Sequence, residues 1–283
     1  MQPIVDFLLA PLAYNFMQRG MLAGLMVGVL CAVLGCYVVL RSMAFLGDAM
    51  AHAVLPGVAI AYLLGGNLFF GALGAAVVVA LGIGFFSRKG AVKEDTAIGI
   101  LFTAALALGI ALISSIRTYA VDLSHILFGN VLGVSESDLW LTAGIGAAIL
   151  LVTLLAYKPF LVISFDPVLA ATLRLPVEFF RTLMLVLLAF TIVVSIQSVG
   201  VGLVAAMLVT PAATAYLLAR RLPAMMALAA LVGAFSSVVG LYASYYLNIA
   251  SGAAIVLTAT LCFLIAFLLA PERGFVWQRL QRT

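Results

Sequence analysis

The sequence predicts an all-α polytopic membrane bundle. Of its 283 residues, 66% are hydrophobic and 8% are charged, whereas soluble domains carry roughly 25% charged residues. The mean hydropathy is +1.30. The apolar residues form long runs, each close to the roughly 20 residues that a helix needs to cross a bilayer. We therefore expect one membrane domain over residues 1–283, with its spans between residues 17 and 270.

Nine apolar runs are long enough to be spans. They cover residues 17–40, 43–64, 67–86, 96–115, 138–157, 178–198, 201–219, 224–247 and 252–270. The seventh is the weakest, because Gly200 and Gly202 allow the chain to open where it begins. Pro211, inside the same run, frees a backbone carbonyl and is expected to kink the helix. We predict eight to nine transmembrane helices.

Basic residues set the predicted orientation. When alternate ends of the spans are assigned to the cytoplasm, twelve of the 14 Lys and Arg residues fall on that side. This distribution satisfies the positive-inside rule, so the C-terminus is predicted to be cytoplasmic. Only Arg19 and Arg117 lie on the opposite side. The basic residues are scattered over short loops, which excludes a nucleic-acid-binding surface.

Two hydrophilic stretches separate the third, fourth and fifth predicted spans. Residues 87–95 are expected to form a solvated cytoplasmic turn whose charges face water. Residues 116–137 form the longest outer segment, which is too short to cross and return as two helices. An interfacial or re-entrant helix fits it better. His125 in this segment is interpreted as a local hydrogen-bond partner and not as a metal ligand, the alternative being a loading site for an incoming cation. Asp122 is interpreted as the cap of the short helix that follows it.

A third stretch, residues 158–177, contains a predicted short helix. Asp166 is a typical N-cap and Pro167 suits the first helical position. The helix is expected to run to about Arg174, before Pro176 stops it. A turn of a few residues would connect the spans equally well. The helix therefore indicates a docking surface for a cytoplasmic partner, the alternative being an amphipathic helix that rests on the membrane.

Asp48 and His52 give the best indication of function. Their spacing places a carboxylate and an imidazole on one face of a helix, within a run that is otherwise apolar. An Asp at the centre of a span costs about 2.5 to 3.5 kcal/mol, so a compensating partner is implied. A divalent cation is one such partner. The alternative is a hydrogen-bonded pair that stabilises itself within the bundle.

The neighbouring residues favour a metal site. Gly47, Ala49 and Ala51 leave space around the pair, and Pro56-Gly57 is expected to bend the helix one turn later. Two ligands are too few for most divalent ions. A dimer with this helix near its two-fold axis would supply two carboxylates and two imidazoles. That mixed nitrogen and oxygen set accepts Mn²⁺, Fe²⁺ or Zn²⁺.

Enzyme motifs are absent from the sequence. It contains no His-Glu-x-x-His, Gly-x-Ser-x-Gly or Gly-x-x-x-x-Gly-Lys-Ser/Thr pattern. We therefore expect no catalytic site, and ATP-driven transport would require a separate ATPase subunit. An ion-coupled secondary carrier usually places additional carboxylates inside its spans, and few are found here. A non-transporting membrane scaffold is a third possibility.

Four blocks of the sequence form a recognisable series. They are Arg41-Ser-Met-Ala-Phe-Leu-Gly-Asp-Ala-Met-Ala-His-Ala-Val-Leu-Pro-Gly57, Phe165-Asp-Pro-Val-Leu-Ala-Ala-Thr-Leu-Arg-Leu-Pro176, Val199-Gly-Val-Gly-Leu-Val-Ala-Ala-Met-Leu-Val-Thr-Pro-Ala-Ala-Thr-Ala215 and Gly240-Leu-Tyr-Ala-Ser-Tyr-Tyr-Leu-Asn-Ile-Ala-Ser-Gly-Ala-Ala-Ile-Val256. In this order they resemble the permease subunits of bacterial manganese/zinc/iron ABC importers. The resemblance extends over nearly the whole chain.

The resemblance implies a complete transport system in the bacterial plasma (inner) membrane. It implies a homodimer, or a pair of related permeases, bound to two ATP-binding cassette subunits and supplied by an extracytoplasmic metal-binding protein. Asp48 and His52 match the residues that carry the transient metal site in that family. The metal is then the transported ion, and no permanently bound cofactor is expected.

The resemblance also implies that the short helix of residues 158–177 is a coupling helix. The residues expected to contact the ATPase are Phe165, Asp166, Pro167, Ala171, Leu173, Leu175 and Pro176. Helix kinks or gating are expected at Pro56, Gly57, Gly200, Gly202 and Pro211.

Two departures from the family pattern concern the metal. Many members have Asp and Pro where this chain has Asn248 and Ala250, and many have Phe-Gly-Asp where it has Phe128-Gly129-Asn130. The second variant is more similar to manganese and iron members than to zinc members. The sequence therefore predicts an importer permease for Mn²⁺, with Zn²⁺ and Fe²⁺ as alternatives.

Overall fold

The structure, a computed structural model, describes residues 9–88, 92–115 and 131–270. Within these ranges all regular secondary structure is helical. The helices are α1 (Asn15–Leu40), α2 (Leu46–Ala53), α3 (Leu55–Leu63), α4 (Leu68–Phe86), α5 (Glu94–Ser114), α6 (Glu136–Leu155), α7 (Tyr157–Phe165), α8 (Pro167–Thr172), α9 (Val177–Val199), α10 (Val201–Leu218), α11 (Leu222–Leu247) and α12 (Ser251–Leu269). Single 3₁₀ turns lie at Pro11–Ala13 and Val131–Gly133.

Nine helices in the described ranges are long and apolar enough to cross a membrane. Helices α2 and α3 together form one of them, Leu46–Leu63. The other eight are α1, α4, α5, α6, α9, α10, α11 and α12. The predicted all-α polytopic bundle is confirmed, and the nine candidate spans of the described residues agree with the upper number predicted.

Helix α1 lies at the centre of the bundle and packs against α11, α10, α6 and α9. It and the Leu46–Leu63 span are mostly buried, whereas α5, α6 and α12 leave most of their surface on the outside. Lipid is as apolar as a Leu side chain, so close packing, rather than a hydrophobic driving force, holds the central helices together.

Glycines bring the central helices into backbone contact. A Cβ at Gly28 would lie 2.9 Å from the carbonyl oxygen of Gly233, so α1 and α11 touch there without intervening side chains. The Ser237 hydroxyl adds a hydrogen bond across this contact to the carbonyl oxygen of Gly24, at 2.8 Å. Gly57 and Gly71 make the corresponding contact between α3 and α4. Small residues thus determine which helices are neighbours.

Glu94 corrects one sequence prediction. The charges of residues 87–95 were expected to face water, but Glu94 opens α5 and its side chain is only 16% exposed. Its carboxylate forms ion pairs with Arg41, just after α1, and with Arg181 in α9. Two guanidinium groups from distant parts of the sequence therefore remove this charge from solvent.

The two ends of the bundle differ in their ion pairs. Arg41, Glu94 and Arg181 lie together at one end, which we call the Arg41 end. Arg19 and Glu136 form a more exposed pair where α1 and α6 begin, at the opposite end. The arrangement matches the predicted alternation of the spans. Assignment of the Arg41 end to the cytoplasm stays a prediction.

Several sequence predictions lie outside the described residues. They concern Arg117, Asp122, His125 and most of the expected interfacial helix of residues 116–137. The Phe128-Gly129-Asn130 variant lies there too.

Replacement of Gly35 by Ala should destabilise the protein. A Cβ at this position of α1 would overlap the carbonyl oxygen of Leu208 in α10. Overpacking of this kind costs about 1–3 kcal/mol, and we expect a lower melting temperature in detergent. Gly74→Ala in α4 is the matched control, since no atom lies within 4 Å of its Cβ position. Equal melting temperatures for the two variants would contradict the close α1–α10 contact.

Candidate functional site

The span that carries Asp48 and His52 is divided into two helices. Helix α2 ends at Ala53 and α3 begins at Leu55, with Pro56 in its first turn. Pro56 has no N–H to donate to the carbonyl oxygen of His52, its acceptor in a continuous helix. The helix is therefore interrupted one turn after the pair.

Asp48 and His52 lie beside each other on α2. Asp48 Oδ1 and His52 Nε2 are 3.6 Å apart, which is longer than a hydrogen bond. The side chain of His52 is 31% exposed and that of Asp48 is 47% exposed. A pair that satisfied itself inside the bundle would be hydrogen-bonded and buried. This geometry instead leaves lone pairs of both groups available to a ligand.

The pair lies level with the middle of neighbouring spans. The His52 ring is 6.2 Å, centroid to centroid, from Phe102, near the middle of α5. The Cβ position of Gly47 is 2.8 Å from the side chain of Leu208, near the middle of α10. Asp48, although close to the start of α2, is therefore deep within the bundle.

Both side chains line a cavity of about 930 Å³. The other lining residues lie in the 3₁₀ turn at Val131–Gly133, in the first turn of α10, and in the segment that runs from the end of α11 into the second turn of α12. They are Leu132, Val201, Gly202, Leu203, Ser244, Ile249, Ala250, Ser251, Gly252, Ala253, Val256 and Leu257. The cavity thus extends from the pair toward the end of the bundle opposite the Arg41 end.

The cavity is large enough for a hydrated ion. Six waters occupy about 180 Å³ at about 30 Å³ each, well below the cavity volume. Its walls are mainly apolar. The Ser244 hydroxyl donates a hydrogen bond to the carbonyl oxygen of Ile249, at 2.7 Å, across the turn formed by Asn248 with φ 54°. Among the side chains that line the cavity, Asp48 and His52 are therefore the strongest potential cation ligands.

One chain supplies only part of a coordination shell. Among the described residues, no group of three or more His, Cys, Asp and Glu side chains is placed to hold a metal ion. Asp48 and His52 contribute one carboxylate and one imidazole. The remaining positions would have to be filled by water, by backbone or hydroxyl oxygens, or by a second copy of the chain.

Gly200 connects α9 and α10 with φ 85° and ψ 164°, a conformation that favours glycine. Gly202 lines the cavity, and no atom lies within 4 Å of its Cβ position. Helix α10 continues through Pro211. The predicted gating roles of these residues, and of Pro56 and Gly57, stay predictions.

Residues 158–177 contain two short helices. Asp166 caps α8 as expected, since its Oδ1 accepts hydrogen bonds from the backbone N–H groups of Val168 and Leu169, both at 2.9 Å. Helix α8 ends at Thr172, two residues before the predicted end at about Arg174, and Arg174 itself adopts a left-handed conformation with φ 55°. Helix α7, which precedes α8, was not predicted.

The surface of these two helices is apolar and exposed. Phe165, Val168 and Leu173 are each more than half exposed, whereas Ala170 is fully buried against the bundle. Exposed apolar side chains of this kind fit contact with a protein partner or with the membrane surface, so the docking role of this segment stays a prediction. The segment lies next to the start of α9 and hence near the Arg41 end.

Nine apolar spans and a mid-depth cavity that carries a carboxylate and an imidazole define a polytopic membrane transporter. A model of the ABC 3 transport family matches residues 13–270. The chain belongs to this family, and the expectation drawn from the four sequence blocks is confirmed.

Relatives are similar over almost their full length. The manganese transport system membrane protein MntC of Halalkalibacterium halodurans is 51% identical over 263 residues, 93% of this chain and 90% of the relative. The chelated iron transport system membrane protein YfeD of Yersinia pestis is 42% identical over 268 residues, 95% of this chain and 90% of the relative. The solved structure of PsaBC from Streptococcus pneumoniae in complex with Fab is 43% identical, with a TM-score of 0.84. That match covers 98% of this chain and 99% of the PsaBC chain.

Replacement of Asp166 by Ala should loosen α8. The change removes the acceptor of two backbone N–H groups, a loss of about 1 kcal/mol. We expect faster trypsin cleavage after the exposed Arg174 in purified protein. Asp166→Asn keeps an N-cap oxygen and should be cleaved at the original rate. Equal cleavage of the Ala and Asn variants would mean that the cap does not stabilise α8.

Proposed function

We propose that the chain is the transmembrane permease subunit of an ABC importer that takes up Mn²⁺. The observation that carries this proposal is the Asp48/His52 pair, at mid-depth on a cavity that reaches one end of the bundle. Zn²⁺ and Fe²⁺ are the alternative ions of the same system. No cofactor is bound permanently, because the metal is the substrate.

The chemistry of the pair supports a transient site. A transported ion must bind strongly enough to enter and weakly enough to leave. One carboxylate and one imidazole from each chain, supplemented by water, form such a weak site. Mn²⁺ accepts mixed oxygen and nitrogen ligands and has the lowest affinity in its series, which suits release. The relatives named for manganese and iron transport support the same choice of ions.

The proposed mechanism is alternating access. An extracytoplasmic metal-binding protein delivers the ion to the cavity, and Asp48 and His52 hold it while it loses part of its water shell. ATP hydrolysis in a separate ATP-binding cassette subunit then moves the spans through the exposed surface of residues 158–177. The ion leaves at the Arg41 end. In this arrangement the chain is one membrane domain without a catalytic site.

A second permease copy, identical or related, would complete the ion's coordination. Two copies with α2 near the two-fold axis would supply two carboxylates and two imidazoles. The incomplete ligand set of one chain supports this assembly. The same proposal places the C-terminus in the cytoplasm and the protein in the bacterial inner membrane.

A secondary carrier is the alternative of another class. Coupling ions in such carriers usually bind to further carboxylates inside the spans. In the described part of the chain, the carboxylates other than Asp48 lie at or near the ends of helices. They are Glu94, Asp95, Glu136, Asp138, Asp166 and Glu178. This distribution favours the ABC importer.

Replacement of Asp48 or His52 by Ala should reduce Mn²⁺ uptake by at least about tenfold, the scale of lost metal-site contacts. Assembly should be unaffected, because both side chains line a cavity and are partly exposed. Uptake of ⁵⁴Mn²⁺ by cells, normalised to permease abundance, measures the effect. Glu136→Gln is the control, since it removes a carboxylate of the exposed pair with Arg19. Normal uptake by either Ala variant would exclude the pair as the metal site.

Uptake should require an associated ATPase. We expect an ATP-binding cassette subunit to purify with the chain, and vanadate to inhibit metal uptake by proteoliposomes that contain both. Parallel measurements with Mn²⁺, Zn²⁺ and Fe²⁺ identify the ion. Uptake that persists with vanadate and collapses with a proton or sodium ionophore would establish a secondary carrier instead.

A further inference from the structure

Arg41, Glu94 and Arg181 form a compact ion network, which we call the Glu94 network. Arg41 Nη2 donates to both carboxylate oxygens of Glu94, at 2.8 and 2.7 Å. Arg181 Nε donates to the same carboxylate at 2.6 Å, and its Nη1 donates to the carbonyl oxygen of Ser87 at 3.1 Å. Burial lowers the pKa of the Arg41 guanidinium, and the Glu94 carboxylate acts in the opposite direction.

The Glu94 network joins four spans at a single end of the bundle. Arg41 follows α1, Glu94 begins α5, Arg181 lies in the second turn of α9 and Ser87 caps α4. Short, charge-assisted hydrogen bonds with little exposure to water hold helix ends firmly. Removal of one partner would leave an uncompensated buried charge. A substitution in the network should therefore strongly weaken the contact between these helix ends.

The ion pair described at the opposite end of the bundle is more exposed to water than the Glu94 network. There the Asp48/His52 cavity is partly open, and the Arg19–Glu136 pair is exposed, at 39% and 72% of the two side chains. The structure thus combines an Arg41 end that buried ion pairs hold together with an opposite end onto which the cavity opens. An alternating-access transporter needs this combination in its outward-open state.

Aromatic contacts connect the network to the exposed surface of residues 158–177. The ring of Phe160 in α7 lies 5.6 Å from that of Tyr37 in α1 and 6.1 Å from that of Phe180 in α9, centroid to centroid. Phe180 directly precedes Arg181, and Tyr37 lies one turn before Arg41. A displacement of α7 and α8 therefore reaches both arginines through packed side chains.

The network is also close in sequence to the metal pair. Arg41 is followed by Ser42, which adopts φ 57°, and then by the short turn that leads into α2. A left-handed serine is an unfavourable conformation that the surrounding contacts must maintain. Release of Arg41 would let this turn, and α2 after it, change position.

We infer that Glu94 is a positioning residue for transport. Its bonds to Arg41 and Arg181 hold the cytoplasmic end of the spans closed while the Asp48/His52 cavity is open on the other side, and they separate when the ion leaves. The inference rests on the proposed importer function. Beyond that function, it identifies Glu94 as the residue that couples α7 and α8 to the closed end of the bundle.

A cysteine in the cavity can report which end is open. Ala253 lines the cavity and is exposed. In a chain whose Cys31, Cys36 and Cys262 are replaced by Ala, Ala253→Cys is labelled with a membrane-impermeant maleimide from outside. The measurement uses the complete transporter in sealed cells without added metal. Glu94→Gln should slow labelling on the order of tenfold, since labelling follows the outward-open population.

Transport gives the second readout. In Glu94→Gln the maximal Mn²⁺ uptake rate per permease should fall, while the concentration for half-maximal uptake should change little, because Asp48 and His52 are intact. Arg181→Lys keeps the charge but cannot reproduce the fork that contacts both Glu94 and Ser87. It should shift labelling in the same direction by a smaller factor, and it preserves the test if Glu94→Gln does not reach the membrane.

Glu136→Gln is the matched control, because it breaks an ion pair at the opposite end and should label at the parent rate. Parent-rate labelling in both Glu94→Gln and Arg181→Lys would overturn the inference. The labelling experiment needs no metal, so it also separates this inference from the proposed function. Slower labelling in a protein that takes up no metal would support the closed-end role of Glu94 and refute only the importer function.

Discussion

A charge inside a membrane bundle must have a partner, because hydrocarbon supplies none. Two carboxylates in the described part of the chain, Glu94 and Asp48, meet this requirement differently. Glu94 receives three short hydrogen bonds from two guanidinium groups. Asp48 has His52 at 3.6 Å and otherwise faces a cavity. The Glu94 carboxylate, with its hydrogen bonds made, can hold helices together. The Asp48 carboxylate keeps acceptor positions that are available to an ion.

The apolar walls of the cavity contrast with the Asp48/His52 pair, whose side chains have free hydrogen-bonding and ligand positions. Side chains such as Val201, Leu203 and Ile249 offer a cation no ligands. In the proposed importer the ion would therefore keep its water until it reaches α2, and the low number of protein ligands there would allow it to leave again.

The sequence predicted those features that depend on local chemistry. Bilayer thickness fixes the length of a span, so hydropathy located all nine, and the Asp166-Pro167 pair marked the start of α8. Helix α7 was missed because Lys158-Pro159 resembles a loop, although proline is tolerated in a first helical turn. The environment of Glu94 depends on contacts across 53 and 87 positions, which no local pattern contains. The cavity itself arises from four separate segments.

The tight turn at Asn248 affects how the spans can move. Ser244 closes it by a hydrogen bond to Ile249, and Ser251 begins α12 immediately afterwards. So short and internally bonded a connection makes α11 and α12 a single rigid hairpin. Because this hairpin forms one wall of the cavity, its lining residues would shift together in any change of the cavity's width. The carboxylate and the imidazole lie on another wall, one turn before the interruption at Val54.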